Sequence, residues 1–423
     1  MSSIRQTNEH VQSTPSVVLP GSLILLLATG AGLGVASLYY SQPIVALLAS
    51  AFHASDRLVS LIPTLTQLGY ATGILFLSPL GDRYDRRAII LVKSVALVLS
   101  LLATACATNM GLMLCASMLV GLSATLAQDY VPAAATLAPE HGRGKVVGTV
   151  MTGLLLGILL SRVISGAVAE WLGWRAIYVV AASAVAVVLL AAWRRLPHFA
   201  SHSQLSYPAL LGSMHDLWIR HAVVRRAALA QAALSIGFSA FWSTLALMLQ
   251  HEYHLGSSVA GAFGLAGAAG SIAAPLAGRL ADHRGARVVA KLGIGIAAFS
   301  FASMLALPAV PYSAQIGLLV LAAVGFDFGV QATLVAHQTL IYGADHTARS
   351  RLNAILFTAM FLGMAAGSSL GGTVLAKWGW TGISLLTTAS SLLALLIASS
   401  KVRHGHVRHA AGHNPRQLEM SRS

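Results

Sequence analysis

Twelve stretches of this chain are each about 20 residues long and nearly free of charge, which is the length a helix needs to cross a bilayer. They fall at 22–45, 58–80, 88–107, 112–138, 146–170, 175–193, 227–250, 258–278, 288–310, 314–341, 353–376 and 382–400. Only 9% of the residues are charged and 56% are apolar, whereas a soluble domain carries about 25% charged residues. Too little polar surface remains to cover a water-soluble particle, so the chain is expected to bury its surface in lipid. The predicted class is an all-α membrane protein of twelve transmembrane helices.

The net charge of +14 does not point to nucleic acid, because the basic residues sit in short loops between apolar stretches. If the N-terminus is cytoplasmic, all but four of the 27 basic residues fall on cytoplasmic segments or helix ends. Arg57, Arg175 and Lys377 lie opposite and Arg162 lies inside. That bias sets orientation and predicts a multi-pass protein with both termini cytoplasmic. Residues 1–20 are polar and the first apolar run is too long for a signal peptide core. Cys106 and Cys115 are the only cysteines and form neither a disulfide framework nor a zinc spacing.

The sequence repeats itself. Ser78-Pro-Leu-Gly-Asp82-Arg83-Tyr-Asp85-Arg86-Arg87 follows span two, and Gly278-Arg-Leu-Ala-Asp282-His283-Arg-Gly285-Ala-Arg287 follows span eight. A second match pairs Arg143, Lys145, Gly157, Gly166 and Gly173-Trp174 with Arg349, Arg351, Gly363, Gly372 and Gly379-Trp380. Parallel repeats of six spans form a transporter plan that handles substrate at their interface. The predicted organisation is a tail (1–21), a six-helix bundle (22–193), a cytoplasmic linker (194–226), a second pseudo-symmetric bundle (227–400) and a basic tail (401–423). Within the linker, Leu210–Val224 reads either as an amphipathic helix on the membrane surface or as a solvated connection.

The repeated loop resembles the G-x-L-A-D-R-x-G-R-R signature of the major facilitator superfamily. Leu80, Asp82, Arg83, Arg86 and Arg87 match in the first copy, and Gly278, Leu280, Ala281, Asp282, Gly285 and Arg287 in the second, where His283 replaces an Arg. The resemblance implies the major facilitator fold and gating residues at Asp82, Arg83, Arg86, Arg87, Gly278, Asp282, Gly285 and Arg287. A loop of this kind needs Gly for a tight turn, an Asp that meets a helix N-terminus, and Arg side chains that pair with carboxylates or helix ends of the other half. Two readings stand side by side, a latch that closes one face and charges that only fix topology. Span five is similar to the superfamily's antiporter motif at Gly148, Gly157, Ser161, Ser165 and Gly166, with Arg162 where that motif has Pro. Ser117 occupies the place of an Arg found in span four of proton-coupled relatives, and Arg162 is the candidate to replace it.

Asp129, Arg162 and Asp327 stand out as charges deep in apolar segments, where charge is costly. At about 1.5 Å per residue they lie roughly 15, 25 and 22 Å from the cytoplasmic ends. An Arg162–Asp327 pair across the halves fits these depths, and an Arg162–Asp129 pair needs a long reach. A carboxylate that meets Arg in one state and an apolar wall in another changes its proton affinity with conformation. These three are therefore the proton-coupling candidates; the alternative is a static paired acid that orders the bundle. The resemblance places spans one, four, seven and ten around the cavity, which makes Tyr39, Tyr40, Gln42, Phe238, Phe241, Trp242 and Gln331 candidate substrate contacts, with His337 a weaker one. Aromatic walls with few polar groups suit an amphipathic small molecule, although packing explains most intramembrane aromatics.

Other patterns carry less. Gly367-Ser-Ser-Leu-Gly371 lies in an apolar helix and lacks the strand–turn–helix setting of a nucleophile elbow. His251-Glu252-Tyr-His254 lacks zinc-site spacing. His404, His406, His409 and His413 read as part of a basic tail near anionic lipid, with adventitious metal as the alternative. Trp171, Trp174, Trp378 and Trp380 read as interfacial anchors. No nucleotide loop, catalytic constellation or cofactor site appears, so no cofactor or enzyme activity is expected. The leading expectation, implied by the resemblance to bacterial proton-linked exporters of drugs or sugars, is a secondary active transporter of the bacterial inner (plasma) membrane that works as a monomer and exports a small organic molecule against protons by alternating access. Proton-coupled import is the alternative within that class, and a membrane sensor without flux lies outside it.

Overall fold

The computed structural model describes residues 19–199, 206–345 and 348–400. The two tails, with the histidine cluster of the second, lie outside the described residues. No strand occurs among those described. Ten helices are long and apolar enough to cross a membrane. Spans two to ten are Asp56–Arg83, Arg86–Ala105, Met110–Leu137, Glu140–Leu172, Trp174–Arg195, Ala222–Tyr253, Ser257–Arg284, Ala286–Ala309 and Tyr312–Tyr342. The tenth long helix, Arg349–Ser399, has 51 residues, or about 76 Å of helix, more than twice the hydrocarbon thickness of about 30 Å. Its backbone breaks at Gly379, where φ 58° and ψ −156° are open essentially to glycine alone. The repeat partner Gly173, with φ 83° and ψ 157°, breaks spans five and six in the same place. Spans eleven and twelve therefore fold as a pair.

Span one is not the continuous helix expected at 22–45. It is helical over Gly21–Ala36, irregular over 37–41, 3₁₀ over Gln42–Ile44 and helical again over Val45–Ala51. Pro43 is the cause: it has no N–H to give and its ring crowds the carbonyl four residues earlier. The interruption frees the Tyr40 carbonyl, which accepts a hydrogen bond from Ser165 Oγ at 2.5 Å. With span one counted across its break, the helices are consistent with twelve crossings in two bundles.

Each bundle repeats one close crossing. Gly157 of span five lies so near Gly32 of span one that a side chain would not fit, and Gly363 of span eleven lies as near Ala232 of span seven. Those positions keep the sequence offsets of the repeat. The bundles meet through a second matched pair. Gly166 of span five abuts Ser257 of span eight, and Gly372 of span eleven abuts Asp56 and Ser60 of span two. These contacts gather at the end of the molecule away from the basic loops. There Ser257 Oγ donates to the Gly166 carbonyl at 3.0 Å, the Ser258 N–H to Glu170 Oε2 at 2.7 Å, and Ser368 Oγ to the Ser60 carbonyl at 3.1 Å. Toward the basic end spans five and eight part. Gly148 and Gly278 face open space, and Ala268–Arg284 packs on span ten.

The linker helix runs Tyr207–Arg220, shifted from the expected 210–224, and span seven starts at Ala222. Ser206 caps it through the Ala209 N–H at 3.4 Å. It buries Leu210, Met214 and Leu217, one apolar stripe at helical spacing.

Candidate functional site between the bundles

Arg162 sits at the joint of the two bundles and is 2% exposed. Its Nε donates to Gln42 Oε1 at 2.9 Å. Its guanidinium lies 4.8 Å from the Tyr39 ring centre and 4.2 Å from that of Trp242. Desolvated cation–π contacts contribute about 2 kcal/mol each, which offsets part of the cost of burying the charge. Gln42 reaches the arginine because the Pro43 break turns it inward. Span eight comes close through its glycines: a Cβ at Gly264 would stand 2.8 Å from Arg162 Cβ.

Asp327, on span ten, is 4% exposed. It faces Arg162 over Gly267, where a Cβ would lie 2.9 Å from Asp327 Oδ2 and 3.7 Å from Arg162 Nη1. The two do not reach ion-pair distance. Arg162 Nη2, Asp327 Oδ2, Gln42 Nε2 and Trp242 Nε1 are all buried with no hydrogen-bond partner among the described residues. Buried polar groups are rarely left so. Asp327 Oδ2 and Arg162 Nη1 flank Gly267, and the Trp242 indole is turned toward the Asp327 carboxyl without reaching normal bond geometry, so Arg162 Nη2 and Gln42 Nε2 are the free donors of this joint.

The aromatic candidates divide. Tyr39 and Trp242 touch Arg162 directly. Phe241 packs on Phe326 at 4.7 Å and Trp380 at 5.7 Å, and Phe238 on Phe326 at 6.1 Å. Phe326 stacks on Phe301 at 4.5 Å. This cluster backs the site beside Asp327. Tyr40 contributes its carbonyl to span five, and the Gln331 side chain lies against Gly270, one turn from Asp327. His337 stands apart, bonded through Nδ1 to Gln231 Oε1 at 3.0 Å.

Asp129 belongs to a different cluster. Its Oδ2 accepts from Lys93 Nζ at 2.7 Å, with the two side chains 4% and 7% exposed. The sequence reading treated Lys93 as a helix-end charge, and the structure corrects it to a buried partner. No Arg162–Asp129 pair forms. A Cβ at Gly81 would lie 3.3 Å from Asp129 Oδ1 and 3.4 Å from Arg86 Nε, so the loop after span two caps the pair. The repeat partner of Lys93 is Gly293, which packs instead against Gly329 and Thr333. One bundle is fastened there by charge and the other by close backbone contact.

In the first loop motif Arg86 and Arg87 turn toward their own bundle and the linker. Arg86 Nη2 donates to the Gly81 carbonyl at 3.1 Å and lies 3.6 Å from Asp82 Oδ1. Arg83 lies over the Tyr84 ring at 5.7 Å. Arg87 Nη2 donates to the Trp193 carbonyl at 2.6 Å, and its Nη1 meets His198 Nε2 at 2.8 Å. An arginine only donates, so His198 accepts there and gives its Nδ1 proton to Asp85 Oδ2 at 2.6 Å. Partial burial opposes ionisation of Asp85. The Phe199 N–H, His198 and the Arg87 N–H outweigh that and hold its carboxyl below the usual range. In the second copy Gly285 takes φ 85° and ends span eight, Asp282 is exposed and Gly278 has open space beside it. Arg287 turns to a small cavity described below.

Sequence reasoning passed over Lys93, Phe326, Gly267 and the Gln231–His337 pair. A signal for Lys93 was present: it follows Arg86 by two helical turns, which puts both on one face. The glycines carried no signal, since nothing in the sequence says which of the 39 face a charge.

Two helical bundles enclosing an unpaired arginine and aspartate at mid-depth define a membrane transporter. The chain belongs to the major facilitator superfamily: the family model matches residues 24–346 and 229–418. It is 38% identical over 384 residues to the uncharacterised transporter YgaY of Escherichia coli O157:H7, covering 90% of this chain and 96% of the relative. It is 32% identical over 387 residues to the probable transporter SCO4007 of Streptomyces coelicolor, covering 89% and 86%. Among solved structures, a D-xylose-proton symporter superposes with a TM-score of 0.72 at 17% identity, over 90% of this chain and 97% of that one. At that identity the likeness concerns the fold.

Proposed function

We propose that this transporter exports a small amphipathic organic molecule from a bacterial cytoplasm in exchange for protons, acting as a monomer with both termini cytoplasmic. The observation that carries the reading is the Arg162–Asp327 arrangement across Gly267, two buried opposite charges that face one another without pairing. They sit on different bundles, so rocking of the bundles changes their separation. Separation from a guanidinium changes the proton affinity of a carboxylate, which is the link that coupling requires. The free donors beside Tyr39 and Trp242 offer an amphipathic molecule polar anchoring against aromatic walls. The small-residue face of span five, similar to the superfamily's antiporter motif, supports exchange over symport. Gly166 and Gly372 hold the far end shut in this conformation, and the basic end is where spans five and eight diverge.

The test is Asp327→Asn in proteoliposomes with an imposed pH gradient. The expected outcome is substrate counterflow that persists while gradient-driven accumulation is lost. Gradient dependence equal to wild type excludes Asp327 as the coupling acid. Reversing the gradient in the same vesicles separates export from import.

A further inference from the structure

We propose that the basic end of the C-terminal bundle holds a binding site for a phosphate group, built by Arg226 and Arg287 and separate from the central site. A cavity of about 30 Å³ lies there between spans seven, nine, ten and twelve. That is room for two or three waters, whose places the oxygens of a phosphate seated at the mouth can take. Arg226 enters from span seven, Arg287 from span nine and His337 from span ten, over an apolar floor of Ala227, Ala290 and Leu340. No carboxylate is among the lining residues. Two guanidiniums that share a small recess repel one another, and an oxyanion between them turns that repulsion into attraction.

Hydrogen bonding points the same way. Arg226 is fixed by one donor: its Nη1 bonds the Ser400 carbonyl at the end of span twelve. Its Nη2 is buried with no partner among the described residues. His337 is 2% exposed and gives its Nδ1 proton to Gln231 Oε1 at 3.0 Å; the ring's other nitrogen then carries a lone pair, so the imidazole walls the cavity and leaves the anion to the two arginines. Gln231 is fully buried and its Nε2 is also without a partner among the described residues. Two guanidiniums, one with an unpartnered buried donor, thus line one recess from two spans. Forked guanidinium donors suit a phosphate.

Two sources present that group at a membrane surface. One is the headgroup of an anionic phospholipid, which basic recesses between spans are suited to hold. The other is free inorganic phosphate. Detergent-purified, delipidated protein is titrated with phosphatidylglycerol or phosphatidylcholine and read by native mass spectrometry. Separately, its thermal unfolding is followed with inorganic phosphate. The variants are Arg287→Gln, whose side chain is exposed and outside the packed core, Arg226→Gln, and Arg284→Gln, a neighbouring exposed base that does not line the cavity. Wild type is expected to bind phosphatidylglycerol over phosphatidylcholine. Arg287→Gln and Arg226→Gln should each weaken that binding about ten-fold, as loss of a charge-assisted hydrogen bond implies, with Arg284→Gln unchanged. If the source is free phosphate, the two lipids bind alike, while phosphate raises the melting temperature of wild type and Arg284→Gln but not of Arg287→Gln. The proposal is overturned if neither probe distinguishes wild type from Arg287→Gln, or if Arg284→Gln loses as much as Arg287→Gln.

Discussion

Arg162 and Lys93 are two answers to the same difficulty, a cation held among helices that face lipid. Arg162 is kept by one glutamine and two aromatic faces, which leaves part of its charge uncommitted. Lys93 is fully committed to Asp129. Removing one partner of a buried pair costs about 3–5 kcal/mol, whereas replacing both with apolar groups costs far less. Lys93→Met is therefore expected to lower stability by about 3 kcal/mol in denaturant titrations of detergent-purified protein, and Lys93→Met/Asp129→Leu to recover most of it. Equal losses in the single and double variants would show that the pair does not act as a unit. The double variant also asks whether Asp129 couples protons: if the acid only fastens its bundle, gradient-driven transport survives. The deep positions of Arg162, Asp129 and Asp327 were legible in the sequence, because charge inside an apolar run has no other reading. Who pairs with whom was not, because Lys93 lies within reach of a helix end and its partner is 36 residues away.

At the scale of elements, the spans and their repeat were plain from hydropathy and from offsets such as Gly157 to Gly363. Interruptions were not. Pro43 was visible, but the irregular stretch begins several residues before it, and the pairing of spans eleven and twelve depends on a backbone conformation at Gly379 that letters do not display. The linker shows a similar limit. A helix there was one of two readings open from the sequence; its attachment through His198, Asp85 and Arg87 was not legible, because His198 lies more than a hundred residues from both. The depressed carboxyl of Asp85 fixes the sign of one pH effect. A group lowered in the folded state contributes stability above its unfolded value, near 3.9, and loses that contribution as pH falls through the folded one. Hydrogen exchange at 196–199, expressed relative to the intrinsic amide rate at each pH, is expected to be slow at neutral pH and to rise in acid below about pH 4. Asp85→Asn should exchange faster at neutral pH and show a smaller acid-induced increase. An unchanged profile in the variant would place the attachment elsewhere.

For the whole molecule, the matched contacts at Gly166 and Gly372 carry the closure of the far end. Gly166 meets the Ser257 backbone, and Gly372 meets the short Ser60 side chain with the Asp56 carbonyl behind it, so added side-chain volume pushes the bundles apart. Gly372→Val is expected to hold the far end open, raising thiol labelling of a cysteine introduced at Ser257 several-fold and abolishing transport with the fold retained. Labelling at the wild-type rate would mean that span eleven yields locally and does not act as part of a joint. The same contacts show why architecture was easier to read than the site. A duplicated plan announces itself twice in the sequence, whereas the groups around Gly267 occur once and come from four spans.

The kink ahead of Pro43 has a mechanical consequence. Continuous helices are stiff along their axis, since lengthening one breaks its hydrogen bonds in series. Residues 38–41 keep only three-residue turn bonds, such as the Leu38 N–H to the Val35 carbonyl at 3.1 Å and the Tyr39 N–H to the Ala36 carbonyl at 3.0 Å, and through Tyr40 and Gln42 they are tied to span five beside Arg162. When span five tilts, this short segment can uncoil or tighten while Gly21–Ala36 and Val45–Ala51 stay intact. The first span thus works as a compliant tether: a displacement at the guanidinium is absorbed within a few residues, without registering at either membrane surface.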